Sequence, residues 1–207
     1  METWDNIAHQ IALLAIKPEG GRVRRRADLA LATAGGALAE LALQERVSLI
    51  DKKVHVHDSR PTEDPLLDTM LRVLAEKGTR RPYRILDSAR KAYLNQALSE
   101  LVTHGWVVMT PGTGLRRDHY EVVDTERLAR IRATAESALR DPTGVPARAA
   151  CLGGLAAEMG LAAELVPDLS WRQRMSAKRT LERRDWVVKA MHDVIAARQA
   201  AAASAAS

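Results

Sequence analysis

Apolar residues recur at three- and four-residue intervals along most of the chain, and short alternating runs interrupt that rhythm twice. The clearest helical stripe is Leu66, Leu67, Met70, Leu71 and Leu74, which line one face. A start signal precedes it in the segment 61–68, Pro-Thr-Glu-Asp-Pro-Leu-Leu-Asp. There Asp64 can accept orphaned backbone N–H groups as an N-cap, and Pro65 takes the first helical position, where no donor is needed. Gly78 marks the stop.

Upstream, Ile7, Ile11, Leu14 and Ala15 predict a helix within 4–16, ended by the turn residues 17–21. An Ala- and Leu-rich helix is predicted over 29–43, running through Gly35-Gly36. Two glycines cost about 1 kcal/mol each relative to Ala in a helix, so close packing against a neighbour is expected to compensate. Strands over 47–50 and 54–57, separated by Asp51-Lys52-Lys53, predict a β-hairpin. After the 61–68 joint and its helix, a second long helix is predicted over 85–104, stopped by Gly105. Strands over 106–109 and 120–123 then flank Pro111-Gly112-Thr113-Gly114. The helix-plus-hairpin pattern thus occurs twice, and Ala37-Leu38-Ala39-Glu40-Leu41 echoes Ala97-Leu98-Ser99-Glu100-Leu101. Helices follow over 125–139, 147–159, 168–184 and 186 to about 203, with Asp168 and Asp185 as candidate caps. The predicted fold is mainly α: a single-domain helical bundle with peripheral β-hairpins over 1–199, and an Ala/Ser-rich tail over 200–207 that extends the last helix or frays.

Composition narrows this picture. Phe is absent and aromatics are 3% of the chain, so the core must be built from Leu, Ala, Val, Ile and Met, which favours packed helices. The single Cys151 excludes an internal disulfide and a multi-cysteine zinc site. The apolar run 7–16 is too short to span a bilayer, so a cytoplasmic protein is expected, peripheral on the inner membrane face where it meets lipid. The net charge of +5 suits an anionic membrane surface or nucleic acid without choosing between them. Clustering carries more: Arg22, Arg24, Arg25 and Arg26 lie together, as do Arg80, Arg81 and Arg84.

Candidate chemistry is sparse. His55-Val56-His57-Asp58 puts two imidazoles on one strand face, yet a binuclear site needs a different carboxylate spacing, so an exposed strand is expected and no metal is assigned. Gly112-Thr113-Gly114 lacks the Lys-Ser or Lys-Thr of a phosphate loop. No nucleophile elbow or isolated carboxylate pair occurs, so neither an enzyme nor a cofactor is expected. Trp106, Trp171 and Trp186 stand at element boundaries and read as structural. Arg172, Arg174, Lys178, Arg179, Arg183 and Arg184, interleaved with Glu182 and Asp185, read as a solvated face. The loop Arg24-Arg25-Arg26 has only Glu19 and Asp28 as nearby acids and is suited to phosphate, and Arg90-Lys91 can add donors.

In order and spacing, several segments resemble the Golgi phosphoprotein 3 (GPP34) family in a bacterial form. They are Ile11-Ala12-Leu13-Leu14-Ala15-Ile16, Glu40-Leu41-Ala42-Leu43-Gln44-Glu45-Arg46-Val47, the 61–68 segment, Leu101-Val102-Thr103-His104-Gly105-Trp106 and Leu181-Glu182-Arg183-Arg184-Asp185-Trp186-Val187-Val188. The family commonly has Gly in place of Glu63. The resemblance implies a mostly helical domain with peripheral hairpins. In eukaryotic members it implies recognition of phosphatidylinositol 4-phosphate on a Golgi membrane and of glycosyltransferase cytoplasmic tails. The resemblance implies a headgroup site made by a Trp, an Arg and two basic residues one turn apart. Arg25 stands near the Trp position, Ala34 at the Arg position, and Lys91 and Leu94 at the two basic positions, so Lys91 alone keeps the family's chemistry. The family's membrane-inserting hairpin has an apolar, aromatic tip, whereas 111–119 here is Gly-rich and carries Arg116 and Arg117, which argues against deep insertion.

The sequence therefore leads to a non-enzymatic peripheral membrane adaptor that binds a phosphoinositide or other anionic headgroup through Arg24, Arg25, Arg26, Arg90 and Lys91. Two alternatives stand beside it. One is a winged-helix-like DNA-binding protein, disfavoured because the helix over 29–43 is nearly all apolar. The other is an adaptor for a protein client that has lost lipid binding, consistent with Ala34 and Leu94. Oligomeric state is not encoded in any motif.

Overall fold

The computed structural model describes residues 5–17, 20–24, 26–113 and 117–205, with the side chains at 26, 27 and 94 outside that description. Helix α1 (Ile7–Leu14) lies at the centre, with every residue but Gln10 buried. It is shorter than predicted because Asn6 caps it, accepting from His9 N at 3.0 Å. Helix α2 (Arg26–Leu43) packs against α1, and the backbones nearly touch. A Cβ at Gly36 would stand 2.7 Å from Ala8 N and 2.8 Å from Ala8 Cα, so the expected close approach is present. At Gly35 the neighbour is the movable side chain of Leu155, 3.1 Å away.

These two glycines make a contrast that thermal denaturation can read. Gly36→Ala is expected to destabilise by about 2 kcal/mol, because overpacking against backbone outweighs the gain of about 1 kcal/mol in helix propensity. Gly35→Ala is expected to be near neutral, since a leucine can rotate away. Equal effects at the two positions would contradict the packing argument.

Strands β1 (Val47–Ile50) and β2 (Lys53–Val56) form the first hairpin, with Val47 opposite Val56 and Ile50 opposite Lys53. Lys53 joins the strand rather than the loop, because Asp51 and Lys52 both have positive φ and suffice for a two-residue turn. Helix α3 (Pro65–Lys77) starts as the sequence predicts: Asp64 accepts from Leu66 N at 2.9 Å and from Leu67 N at 3.2 Å. Helix α4 (Pro82–Thr103) begins three residues before the predicted start, with Pro82 at its first position. Strands β3 (Val107–Thr110) and β4 (His119–Val122) form the second hairpin. Its docking partner is the turn at Gly20-Gly21, where Gly21 O accepts from Tyr120 N at 2.9 Å.

The two helix–hairpin units are built alike. Arg46 N donates to Leu41 O at 2.9 Å and Trp106 N to Leu101 O at 3.1 Å, with Glu45 and Gly105 in matching positive-φ turns. The sequence echo therefore reflects one junction geometry used twice.

Helices α5 (Thr125–Arg140), α6 (Ala147–Glu158), the short α7 (Ala162–Leu165), α8 (Trp171–Arg184) and α9 (Trp186–Ala205) complete the chain. Helix α7 has no counterpart in the periodicity, since four residues carry no periodic signal. Helix α8 starts later than predicted and Asp168 does not cap it. Ser170 does so in a capping box with Gln173, while Asp168 binds Arg140 through two bonds of 2.6 and 2.7 Å. Asp185 does cap α9, accepting from Val187 N at 2.7 Å and Val188 N at 3.1 Å. One hydrophobic core draws on α1 to α9, and Leu, Ala, Val, Ile and Met supply most of it. Among the described residues the fold is mainly helical with two peripheral antiparallel hairpins, as the periodicity predicts.

Candidate functional site

Asp28, in the first turn of α2, faces a cleft of about 520 Å³ whose other walls come from the α6–α7 junction, α8 and the end of α9. Its basic lining is Arg174, Lys178 and Arg198, and Trp171 stands at its edge. Trp171 is 67% exposed, so its structural reading is corrected: as the first residue of α8 its ring projects from the fold instead of sealing the core. Trp106, by contrast, is buried under the Arg127 guanidinium, 4.1 Å from the ring centre, and Trp186 packs on the core.

Tertiary contacts tune each cation. Arg174 donates to the carbonyls of Leu169 and Val166, which fixes its stem without neutralising it. Lys178 Nζ lies 3.0 Å from the buried Glu158 carboxylate, whose proton affinity is raised mainly by burial and lowered in part by Lys178. Arg198 reaches Asp87 at 2.9 Å, and Arg90 shares that carboxylate at 3.1 Å. The Asp87 carboxyl is held below the usual range first by its bond from Arg198. Beyond Asp87 a second cleft of about 500 Å³ adds Lys77, Arg80 and Arg84, with Arg198 between the two.

A further basic row was only half visible in the sequence. Arg172, Arg179 and Arg183 share one face of α8 and line a shallow concavity beside Trp171. The expected balance by Glu182 and Asp185 is absent: Glu182 turns to Lys189 at 3.5 Å, and Asp185 is committed to the α9 cap. Among the described residues none of the three arginines has a carboxylate at ion-pair distance.

The residues singled out from sequence fall around this region unevenly. Arg24 is half-buried and ion-paired with Glu164 of α7, so it is not the unpartnered cation its local neighbours suggest. Glu164 also receives Arg132 at 3.3 Å. Arg25 lies outside the described residues, as does the side chain of Arg26, whose backbone opens α2. Arg90 joins the region through Asp87. Lys91 is exposed, on the face of α4 shared with Arg84 and Ser88. Ala34 is fully buried in the core, and the side chain of Leu94 is outside the description. Of these, the fold links Arg90 to the cleft residue Arg198 through Asp87 and carries the start of α2, at Asp28, to the cleft wall.

The other sequence candidates do not assemble. Asp58 is bound by Arg60 at 2.8 Å and Arg46 at 3.2 Å, and Arg60 above all depresses its pKa. His57 Nε2 meets Ser48 Oγ at 2.6 Å, so the His55–His57–Asp58 run is an exposed hairpin edge. Cys151 is buried, its thiol pushed well up by desolvation and by Asp185. Among the described residues no helix is long and apolar enough to cross a membrane.

Comparison with family models matches residues 7–198 to Golgi phosphoprotein 3 (GPP34). The chain belongs to the GPP34 family. No curated protein matches it. The match spans every described element from α1 into α9, so the cleft, the basic row and both hairpins lie within the family domain. GPP34 is not a known enzyme family. Helix α2, the apolar helix of the first helix–hairpin unit, is enclosed by α1, α3, α4 and α6, so it cannot lie in a DNA groove.

Proposed function

We propose that this GPP34 protein is a non-enzymatic peripheral membrane adaptor that receives an anionic phospholipid headgroup, of the phosphatidylinositol 4-phosphate kind, in the cleft bounded by α2, α6–α7, α8 and α9. The observation that carries the reading is the exposed Trp171 set between the cleft cations Arg174, Lys178 and Arg198 and the row Arg172, Arg179 and Arg183. An amphipathic indole seats at the headgroup level of a bilayer, and guanidinium forks match phosphate oxygens. Arg90 and Lys91 extend the positive surface along α4, and Arg24, paired with Glu164, lies just ahead of the start of α2. Each cation near an anionic surface adds about 1 kcal/mol, enough for reversible attachment without an anchor. The inner membrane face follows from that attachment, and a protein client bound elsewhere on the domain would make it an adaptor.

Liposome co-sedimentation tests this. Vesicles holding phosphatidylinositol 4-phosphate are expected to retain the protein at low salt, charge-matched phosphatidylserine vesicles less so, and neutral vesicles not at all. Trp171→Ala and Arg198→Ala are each expected to weaken retention about fivefold, the equivalent of about 1 kcal/mol. Absence of binding to every anionic vesicle would refute the lipid reading and leave the protein-only adaptor. Steeply salt-dependent retention on DNA in its place would favour the nucleic-acid reading.

A further inference from the structure

Helix α1 buries a histidine in the middle of the core. His9 is fully enclosed, and among the described residues neither ring nitrogen has a hydrogen-bond partner. A buried polar group is normally satisfied, so this position asks what its lone pair meets. Across from it, Glu100 in the last turn of α4 and His104 at its C-cap sit one turn apart and project on one face. One ligand atom from each of His9, Glu100 and His104 can be chosen so that all lie within 4.8 Å of one another, and Glu100 Oε2 is 3.8 Å from His104 Nε2.

We propose that His9, Glu100 and His104 form a binding site for a divalent transition-metal ion, zinc by the chemistry of the ligands. Two imidazoles and one carboxylate are the borderline donor set that zinc takes, with water in the fourth position. The surroundings favour a cation. His104 caps the C-terminus of α4, the negative end of the helix dipole. Asp64 lies close enough to act on Glu100 through charge. The Arg127 guanidinium nearby is held by Asp5 at 3.2 Å and Asp124 at 2.9 Å. The His104 ring is fixed by stacking on Trp106, centroids 5.0 Å apart, and the His104 and Glu100 side chains keep 19% and 18% exposure, which leaves a path inward for the ion. The second acidic–histidine group, Glu158, Glu182 and His192, is a weaker claimant because the Lys178 ammonium already occupies Glu158.

The site would clamp the central helix to the junction between α4 and the second hairpin. Full-length protein stripped with EDTA is the material for the test. Zinc chloride titrated against a chromophoric chelator is expected to show one saturable equivalent, and excess zinc to raise the thermal midpoint by about 5 °C or more. Cobalt in place of zinc is expected to give the visible bands of a four-coordinate ion. Glu100→Gln and His104→Phe, the latter keeping the ring stack on Trp106, are each expected to weaken zinc about 100-fold. His9→Leu is expected to melt no lower than the metal-free wild type while losing the zinc-induced shift. Unchanged zinc affinity in Glu100→Gln and His104→Phe, or no saturable equivalent in the wild type, overturns the proposal.

Discussion

Glu40→Ala is expected to lower the free energy of unfolding by about 3 kcal/mol, because it leaves an arginine and a helix terminus without their anion. The Glu40 side chain is 2% exposed and bonds both terminal nitrogens of Arg148, reaching Nη1 at 2.6 Å. It also accepts from Ile7 N at 3.3 Å, the first N–H of α1, and from Gln44 Nε2 at 3.4 Å. One carboxylate therefore joins α1, α2 and α6. Desolvating it costs several kcal/mol, and only this full set of donors offsets the cost. Removing Arg148 as well should recover part of the loss, since the double variant no longer holds a stranded guanidinium. Urea unfolding followed by tryptophan fluorescence gives both numbers. A single-variant loss below about 0.5 kcal/mol, the range of an ordinary surface change, would show that Glu40 is not the joint described here.

Asp64→Ala should cost a similar amount, about 3 kcal/mol, for a different reason. Its carboxylate holds the start of α3 and accepts from Asn6 Nδ2 at 2.5 Å, while Asn6 Oδ1 caps α1. Losing the cap accounts for about 1 kcal/mol, and orphaning the buried Asn6 amide for about 2 more. The same segment anchors α4, for Tyr93 Oη donates to Leu66 O and Gln96 Nε2 to Pro65 O at 3.0 Å. Burial, outweighing the bonds from Leu67, Leu66 and Asn6, raises the Asp64 pKa. The folded state therefore holds this proton more tightly than the unfolded chain, whose Asp titrates near 3.9. That contribution is full below about pH 3.9 and is lost as pH rises through the folded value. The stability difference between wild type and Asp64→Asn, which keeps an acceptor for the cap, should accordingly be level below about pH 3.9 and shrink as pH rises above it. A difference that grows with pH would mean that the caps, not burial, dominate the site.

The segment 61–68 shows how far local reading reaches. Its cap and its proline were legible because Asp64 acts on N–H groups two and three residues away. The bond to Asn6 was not, since nothing in the sequence relates positions that far apart. Gly36 behaved likewise: the cost of a glycine in mid-helix signalled a close neighbour, but not that the neighbour is the backbone of Ala8.

The candidate site divides along the same line. Arg24 read as an unpartnered cation because its sequence neighbours lack acids, and the fold supplied Glu164. Glu182 and Asp185 read as partners for the α8 arginines because they are adjacent in sequence, and the fold took both for α9. Arg198 carried no signal in an Ala-rich terminal helix, yet it stands between the two basic clefts.

What the sequence by itself determined is what depends on neighbours within a turn or two: helix periods, caps, hairpins and the ordered segments that mark the GPP34 family. The tertiary structure decided which cations are neutralised, that Trp171 is left exposed, and that His9 meets Glu100 and His104. Those outcomes depend on charges and rings brought together over long chain separations, and such distances are set by packing rather than by any local pattern.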